Sequence, residues 1–372
     1  MKSLVSVIIP VYRESRILPR LLEKLSRQSI DCEVIVVVDE PTESFRDLMK
    51  HFWDRVVFIV NEERVGKAMA LNKAVGFSSG EIIVFLDSDV DIPDDPEFLE
   101  KIVEEMRDCD ILDFKKVVVK NSLLAKMTYY EYVGANTASW LTTRCLGRCP
   151  AINGSGFAVR RSAFVELDGF RRVISEDFDF ATRAFLKKYK FKYTTRVFIY
   201  NYVHSSWQKW IVQRKRWSLG CALWLREWWK SLLKECLRNL QVFIPALLAL
   251  IPSIVYIVAN FFIPDMIIYK LFTSILFFIA VKFNIIFPLL LLTTLGIGFM
   301  KNLAILLISF LAFTLIFMAL SKKLDFNFKT YEFLAYYFVY SPLVLFTIIV
   351  ALIKVFILRN KEIINKLDDW KI

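Results

Sequence analysis

Long apolar runs fill the last third of the chain and constrain its fold more than any other feature. Four of them approach or exceed the ~20 residues that an α-helix needs to cross the hydrocarbon core of a bilayer. These runs are Val242 to Ile263, Ile285 to Met300, Leu303 to Leu320 and Phe333 to Ile357. Before Gln241 the apolar runs are as short as buried strands. We therefore predict a soluble part followed by a membrane-spanning part.

The predicted membrane part covers residues 242–358 and contains about four helices, with roughly three to five compatible with the pattern. The segment Leu271 to Met300 is long enough for one tilted helix or for a short hairpin that turns at Lys282. Four spans would return the tail, residues 359–372, to the side of the soluble part. Lys322 and Lys323 conflict with this model. The positive-inside rule favours the cytoplasmic side for them, whereas four spans place them outside.

The net charge of +11 accompanies a hydrophobic fraction of 56% and a charged fraction of 23%, as expected for a chain with one polar and one apolar part. Much of the basic excess lies between Arg144 and Lys230, where it alternates with tryptophans and precedes the apolar runs. A lipid surface and a phosphorylated substrate explain this placement better than nucleic acid does. We expect a lipid bilayer and no nucleic acid among the partners, and the sequence does not specify an oligomeric state.

Cysteine and histidine usage limits the redox and metal chemistry. The six cysteines show no Cys-x-x-Cys pair, which favours reduced thiols over a metal shared by Cys145 and Cys149. With only two histidines, the sequence argues against an imidazole zinc centre of the usual kind, so we expect oxygen ligands for any catalytic metal. Leu4 to Val11 is too short for a signal-peptide core, and we expect a multi-pass protein of the cell membrane whose soluble part is cytoplasmic.

Strand and helix patterns alternate from the start of the soluble part. Val5 to Ile9, Glu33 to Val38 and Ile82 to Leu86 read as strands, and leucines at helical spacing separate the first two. This alternation predicts an α/β fold with a mostly parallel, Rossmann-like sheet that binds ligands at the carboxyl ends of its strands. Residues 153–156 lack the third glycine of a dinucleotide fingerprint, which argues against a nicotinamide enzyme.

Residues 221–241 carry tryptophans and leucines at helical spacing opposite Arg, Lys and Glu. Because this segment directly precedes the apolar run at Val242, we predict an amphipathic helix in the membrane interface. The alternative is a helix that packs on the core of the soluble part.

Carboxylates follow three predicted strands. Asp87-Ser88-Asp89 follows Ile82 to Leu86, Asp39 ends the second strand, and Glu14 lies just beyond the first. Two carboxylates on alternate residues can share Mg²⁺ or Mn²⁺ together with substrate phosphates. An ordinary acidic turn is the alternative for the tripeptide taken alone. Asp91 is interpreted as a solvated turn residue or an outer support of the site.

Three further segments carry candidate functional groups. Gly66-Lys67 opens a predicted helix, where free amides and an ammonium suit a nucleotide phosphate, although Lys67 alone could be a surface lysine. Glu176-Asp177 also precedes a helix and could be a cap. Gln213-Arg214-Lys215-Arg216-Trp217 combines an amide, three cations and an indole, which suits a polyanion and a ring-shaped acceptor.

Taken in order, these motifs resemble those of the family 2 glycosyltransferases with a GT-A fold, over roughly residues 3–220. The resemblance is strongest to the membrane-embedded branch, which includes cellulose, chitin and hyaluronan synthases and ceramide glucosyltransferase. The matching segments are Pro10 to Glu14, Asp39, Gly66-Lys67, Asp87 to Asp89, Gly154 to Arg161, Glu176-Asp177 and Gln213 to Trp217. The implied organisation is a GT-A domain over residues 1–220, the interfacial helix, the membrane domain and the tail.

The resemblance implies a role for each motif. The nucleotide-sugar donor would be bound by Pro10, Tyr12, Glu14, Asp39, Lys67, Asp87, Asp89, Gln213 and Arg216, with Asp39 on the uracil. Asp87 and Asp89 would hold Mg²⁺ or Mn²⁺. Catalysis would involve Asp177 as the general base, Glu176 and Arg216, and the acceptor would contact Gly154, Ser155, Gly156, Phe157 and Trp217. Arg214 and Lys215 receive no role beyond anchoring to the bilayer.

Three departures from the family pattern leave the donor sugar and the acceptor open: Arg13 in place of Asn, Glu40-Pro41, and Tyr202-Val203-His204. We expect an inverting transferase that moves a sugar from a nucleotide-diphosphate sugar to a hydroxyl of a lipid-linked or glycan acceptor. A UDP-sugar is the donor we expect. A processive polysaccharide synthase and a polyprenyl-phosphate sugar synthase are the alternatives among enzymes. A transporter or scaffold with a degenerate nucleotide-binding domain is the alternative outside them.

Overall fold

The computed structural model describes residues 4–262, 264–284 and 294–358. The chain divides into two compact units. The first comprises residues up to Leu250 together with those from Phe346 onward, and the second is Ile251–Leu345.

One mixed sheet of eight strands organises the described residues of the first unit. Its strands are β1 (Val5–Tyr12), β2 (Cys32–Asp39), β3 (Val57–Asn61), β4 (Ile82–Leu86), β5 (Val90–Asp91), β6 (Ile111–Val118), β7 (Gly156–Arg160) and β8 (Phe191–Asn201). They lie in the order β3-β2-β1-β4-β7-β6-β8-β5. The covering helices are α1 (Leu18–Leu25), α2 (Glu43–Phe52), α3 (Lys67–Phe77), α4 (Phe98–Glu105), α5 (Leu123–Leu146), α6 (Arg161–Glu166) and α7 (Glu176–Leu186).

Strands β1, β2 and β4 are apolar on both faces because helices cover both sides of the sheet. Neighbouring residues of β1 accordingly enter different cores: Ile9 packs in one hydrophobic cluster and Ile8 in the other. The pairs β1/β2, β2/β3 and β1/β4 are parallel, as the sequence predicts.

Strand β7 runs antiparallel between β4 and β6 and places the glycine-rich segment beside the acidic one. Leu86, the last residue of β4, lies opposite Gly156, the first of β7. The next amide along β4, from Asp87, donates to the Ser155 carbonyl at 3.0 Å. This register brings two motifs that are far apart in sequence to one edge of the sheet.

Helix α8 (Trp207–Arg238) is continuous, whereas the sequence interpretation divided it at residue 220. Gly220 does not interrupt it; it is required there because a Cβ atom would overlap Ser175 Oγ. Two of its tryptophans pack on α7, with Trp224 Nε1 donating to Thr182 Oγ1 at 2.8 Å and Trp228 Nε1 to Asp179 Oδ1 at 3.2 Å. Trp229 and Leu237 are exposed. One face therefore packs on the sheet domain, and the placement of the other in the membrane interface remains a prediction.

The remaining helices are apolar. They are α9 (Leu240–Leu250), α10 (Ile254–Phe262), α11 (Asp265–Phe283), α12 (Thr294–Lys323), α13 (Thr330–Ala335) and α14 (Ser341–Leu352), with π-helical turns at Tyr336–Tyr340 and Ile353–Ile357. In the described part of the chain, Gly298–Lys323 and Thr330–Ile357 are each long and apolar enough to cross a membrane. Helices α9 and α10 count as a third candidate if they form one broken span. The predicted run Ile285 to Met300 lies partly outside the described residues.

Candidate active site

Lys67 links three elements at the carboxyl edge of the sheet. It begins α3, and its Nζ lies 2.6 Å from Oδ1 of Asp87, which follows β4, and 3.5 Å from Oε1 of Glu176, which begins α7. Burial opposes the charge of Lys67, but the carboxylates of Asp87, Glu176 and Asp177 outweigh it and raise the lysine pKa above its ordinary value. The ammonium therefore stays charged in the middle of an acidic cluster.

Negative charge is in excess around Lys67. The Asp89 side chain is solvent-accessible, but desolvation by the surrounding protein and the Asp87 carboxylate raise its pKa to about 7. Lys67 and Arg216 act on Asp89 in the opposite direction, so the Arg216 guanidinium lies within electrostatic reach of it. Burial and the neighbouring Asp177 carboxylate likewise raise the pKa of Glu176 to about 7. An additional cation would relieve this repulsion.

The Asp177 carboxylate is fixed by backbone amides. Gly154 N donates to its Oδ2 and Phe178 N to its Oδ1, both at 2.8 Å. A Cβ atom at Gly154 would lie 2.9 Å from that Oδ2 and 3.0 Å from the Asp177 Cβ, so only glycine permits this approach. Burial raises the pKa of Asp177, while the two amide hydrogen bonds act against the rise. The result is a rigidly placed carboxylate with a raised proton affinity.

The glycine-rich segment divides into residues at the site and residues in the core. Ser155 is buried beside Asp87, and its hydroxyl has no hydrogen-bond partner among the described residues. Gly156 packs closely on the core, where a Cβ atom would meet the end of the Ile199 side chain. The Phe157 ring is fully buried, with its centroid 5.1 Å from that of Phe85. The predicted acceptor contact of Phe157 is therefore wrong: strand alternation directs its side chain into the aromatic core.

The Asp39 side chain supports the loop before α3. It is buried, accepts from Asn61 Nδ2 at 2.9 Å, and accepts from the amides of Val65 and Gly66 at 3.1 and 2.9 Å. These contacts place the start of α3, and hence Lys67. Any contact of Asp39 with a nucleobase would have to use the lone pairs that these donors leave.

Other predicted donor residues lie at the end of β1. Tyr12 is exposed, its hydroxyl donates to Glu40 Oε2 at 3.2 Å, and the Arg64 guanidinium lies 4.3 Å from its ring centroid. Pro10 lies within β1, opposite Val37. Glu14 instead accepts hydrogen bonds from hydroxyls at the start of α2, including Ser44 at 3.0 Å. Its predicted donor contact remains untested.

The basic segment of α8 is not uniformly exposed. Gln213 and Trp217 are half-buried, and Lys215 and Arg216 are exposed. Arg214 is buried, and its two terminal nitrogens pair with the two carboxylate oxygens of Glu131 on α5. The predicted anchoring of Arg214 to the bilayer is therefore wrong, because the side chain is buried and pairs with Glu131 inside the protein.

Sequence reasoning missed two groups near the site and misplaced a third. Tyr132 is buried, its hydroxyl is hydrogen-bonded to the Asn153 side chain, and burial followed by the nearby Asp89 carboxylate raises its pKa. No spacing signal marks Tyr132 or Asn153. Asp91, interpreted as a turn residue or an outer support, is buried in β5 and paired with Lys24 Nζ at 2.8 and 2.9 Å.

Comparison with known proteins supports the interpretation of the sheet domain. Residues 6–167 match the family described as Glycosyl transferase family 2. An uncharacterized glycosyltransferase of Methanocaldococcus jannaschii is 27% identical over 199 residues, which are 51% of this chain and 67% of that protein. A probable glucomannan 4-beta-mannosyltransferase of Arabidopsis thaliana is 25% identical over 307 residues, 77% of this chain. The chain spans only 52% of that relative.

Two further proteins are similar. A poly-beta-1,6-N-acetyl-D-glucosamine synthase of Staphylococcus epidermidis is 24% identical over 235 residues, 61% of this chain and 57% of that protein. The solved mannosyltransferase PcManGT from Pyrobaculum calidifontis, in complex with GDP-Man and Mn²⁺, superposes with a TM-score of 0.51 at 19% identity, covering 83% of this chain and 86% of that one. This likeness concerns the fold, and it confirms the predicted GT-A architecture. Residues 6–167 are thus similar to glycosyl transferase family 2, and the sheet domain has the fold of GT-A glycosyltransferases.

Proposed function

We propose that the protein is a membrane-bound inverting glycosyltransferase. It would move a sugar from a nucleotide-diphosphate sugar to a hydroxyl of a lipid-linked or glycan acceptor. A UDP-sugar is the preferred donor in this proposal. The observation that carries the proposal is the arrangement at one sheet edge: Lys67 beside Asp87, and Asp177 fixed by the Gly154 amide. Such a site offers charge for a leaving diphosphate and a base for an incoming hydroxyl.

The donor side of the site would receive phosphate and a divalent cation. Among the described residues, no three His, Cys, Asp or Glu side chains are grouped to hold a metal ion by themselves. Asp87 and Asp89 nevertheless fit Mg²⁺ or Mn²⁺, since two close carboxylates with substrate phosphates are a common ligand set, and their repulsion raises the pKa of Asp89. The ion would neutralise charge on the departing diphosphate. Lys67 and Arg216 would bind its remaining oxygens.

Asp177 would accept the proton of the acceptor hydroxyl as that hydroxyl attacks the anomeric carbon. Each of its oxygens accepts one amide hydrogen bond, which leaves lone pairs for the hydroxyl. Its raised pKa favours proton transfer. Attack on the face opposite the departing diphosphate inverts the anomeric configuration.

The acceptor side would comprise Ser155, whose buried hydroxyl is unpartnered among the described residues, and the half-buried Trp217 ring. An indole offers a flat apolar face to a sugar ring or lipid head. Gln213, one helical turn before Trp217, would contact the donor. A lipid-linked acceptor would come from the bilayer that the two candidate spans would cross.

The names of two relatives favour a second candidate, a processive polysaccharide synthase. One is named a glucomannan mannosyltransferase and the other a poly-N-acetylglucosamine synthase, and the chain spans 52% and 57% of their lengths. The two candidates share the chemistry and differ in whether the product returns as the acceptor. Product length therefore separates them.

The test incubates the purified full chain with Mn²⁺, one of several UDP-sugars or GDP-mannose, and octyl β-D-glucoside, ceramide or polyprenyl phosphate as acceptor. Mass spectrometry of the products is expected to show a single added sugar on a hydroxyl. Transfer to polyprenyl phosphate alone, or undiminished transfer by Asp177→Asn, would contradict the proposal. Long polymer as the sole product would favour the processive synthase.

A further inference from the structure

Arg214 occupies a buried position between two indole rings on one face of α8. Trp210, Arg214 and Trp217 are four and three residues apart, so they follow one another along that face. The Arg214 guanidinium carbon lies 4.6 Å from the Trp217 ring centroid and 5.5 Å from that of Trp210. A planar guanidinium holds an indole by stacking as well as by charge.

Glu131 holds Arg214 from the neighbouring helix. Its carboxylate faces both terminal nitrogens of the guanidinium, with Nη2 2.6 Å from Oε2. Only 4% of the arginine side chain and 18% of the glutamate side chain are solvent-accessible. Both charges are thus largely desolvated, and the two-point geometry fixes the plane of the guanidinium. A guanidinium whose plane is fixed in this way lies 4.6 Å from the Trp217 ring centroid, close enough to orient that ring.

A second contact fixes the same segment from its other end. Gly220 packs directly on Ser175, the residue before Glu176, with no room for a Cβ atom. Arg214 and Gly220 therefore flank Arg216 and Trp217, and α8 is attached on both sides of these two residues. One attachment is to α5 and the other is to the loop that leads into the proposed base.

We infer that Glu131 and Arg214 are a positioning pair that orients the Trp217 ring as the platform on which the acceptor is bound. The inference rests on the proposed function for the identity of that ligand. Neither side chain of the pair is assigned a contact with the substrates; both act through Trp217. The pair is therefore expected to affect acceptor binding and to leave donor binding unchanged.

The first test follows the indole itself and does not depend on sugar transfer. The full chain is labelled with 5-fluorotryptophan in detergent micelles, and the ¹⁹F resonance of Trp217 is assigned with Trp217→Phe. In Glu131→Gln and Arg214→Lys, this resonance should shift or broaden, while those of Trp224 and Trp228 stay in place. Lys215→Gln removes an adjacent but exposed charge and should leave all resonances unchanged.

The second test measures function with UDP-glucose and octyl β-D-glucoside. Both variants should raise the acceptor KM about tenfold, the value of one charge-assisted hydrogen bond, and should keep the affinity for UDP with Mn²⁺ within about twofold. Glu131→Gln keeps the shape of the side chain but removes the charge that compensates the buried Arg214, so thermal unfolding of both variants is measured alongside to detect a folding defect. Unchanged Trp217 resonances in both variants would overturn the inference, as would an equal loss of UDP affinity. A shifted resonance without any sugar transfer would instead reject the proposed function and leave the positioning of Trp217 established.

Discussion

At the scale of single residues, Gly154 determines the position of the proposed base, the Asp177 carboxylate. The Asp177 carboxylate reaches the Gly154 amide only because no side chain occupies the space between them. A flexible carboxylate would sample many orientations, whereas this one accepts two backbone hydrogen bonds. The geometry of the site thus depends on the absence of a single carbon atom.

Gly154→Ala is expected to reduce kcat about 100-fold, because the added Cβ displaces the carboxylate by a fraction of an ångström and misplaced catalytic groups lose about that factor. Affinity for UDP, measured by calorimetry, should stay within about twofold. Gly76→Ala in α3 is the matched control, since its Cβ would have no atom within 4 Å. Equal activity of the two variants would contradict the fixed-base geometry.

Phe157 should behave as a core residue. Phe157→Leu is expected to destabilise the protein by roughly 1–3 kcal/mol, because it removes part of a ring packed among buried phenylalanines. The acceptor KM of the folded fraction should not change. Thermal unfolding in detergent and initial rates measure the two effects separately, with the exposed Phe77→Leu as control. A raised acceptor KM without loss of stability would support the predicted contact between Phe157 and the acceptor.

At the scale of elements, sequence patterns specify which strands exist but not how they are ordered. Apolar runs ending in Asp39 and Asp87 predict strands whose carboxyl ends lie at the same edge of the sheet, and the parallel pairing of β1 with both β2 and β4 confirms this. The antiparallel insertion of β7 leaves no local signal, because strand direction depends on the path of the whole chain. The sequence also did not predict which side of α8 faces inward, because Glu131, which pairs with Arg214, lies 83 residues earlier.

The packing of α8 on α7 predicts different roles for its tryptophans. Trp224→Phe and Trp228→Phe each remove one indole hydrogen bond to α7 and should cost about 1 kcal/mol. Trp229→Phe makes the same change at an exposed position and should cost nothing measurable. Thermal unfolding in detergent compares the three. Identical behaviour of all three would indicate a helix that contacts only lipid or detergent.

At the scale of the whole molecule, the chain joins a transfer domain to apolar helices through one uninterrupted helix. Helix α8 carries Arg216 and Trp217 in its first third and ends at Arg238, and one residue, Asn239, separates it from α9. The residues proposed for catalysis and acceptor binding therefore lie on the same helix that leads to the apolar helices. This continuity is the reason that the boundary predicted at residue 220 does not coincide with a break in structure.

The two described candidate spans predict a defined topology. Gly298–Lys323 and Thr330–Ile357 are separated by six residues, 324–329, which are too few to cross a bilayer, so their ends must lie on one side. If the chain has four spans in total, this connection lies on the side of the membrane opposite the soluble part. The tail then lies on the same side as the soluble part. Lys322 and Lys323 favour the reverse, so the arrangement needs a direct measurement.

Reporter fusions in the full chain decide the matter. Alkaline phosphatase inserted between residues 325 and 328 is expected to be active, because it would face the oxidising exterior. A fluorescent protein fused after residue 372 is expected to fluoresce, because it would stay in the cytoplasm with the transfer domain. An inactive phosphatase at the connection together with a non-fluorescent tail would mean an odd number of spans. It would place Lys322 and Lys323 on the cytoplasmic side and the tail outside.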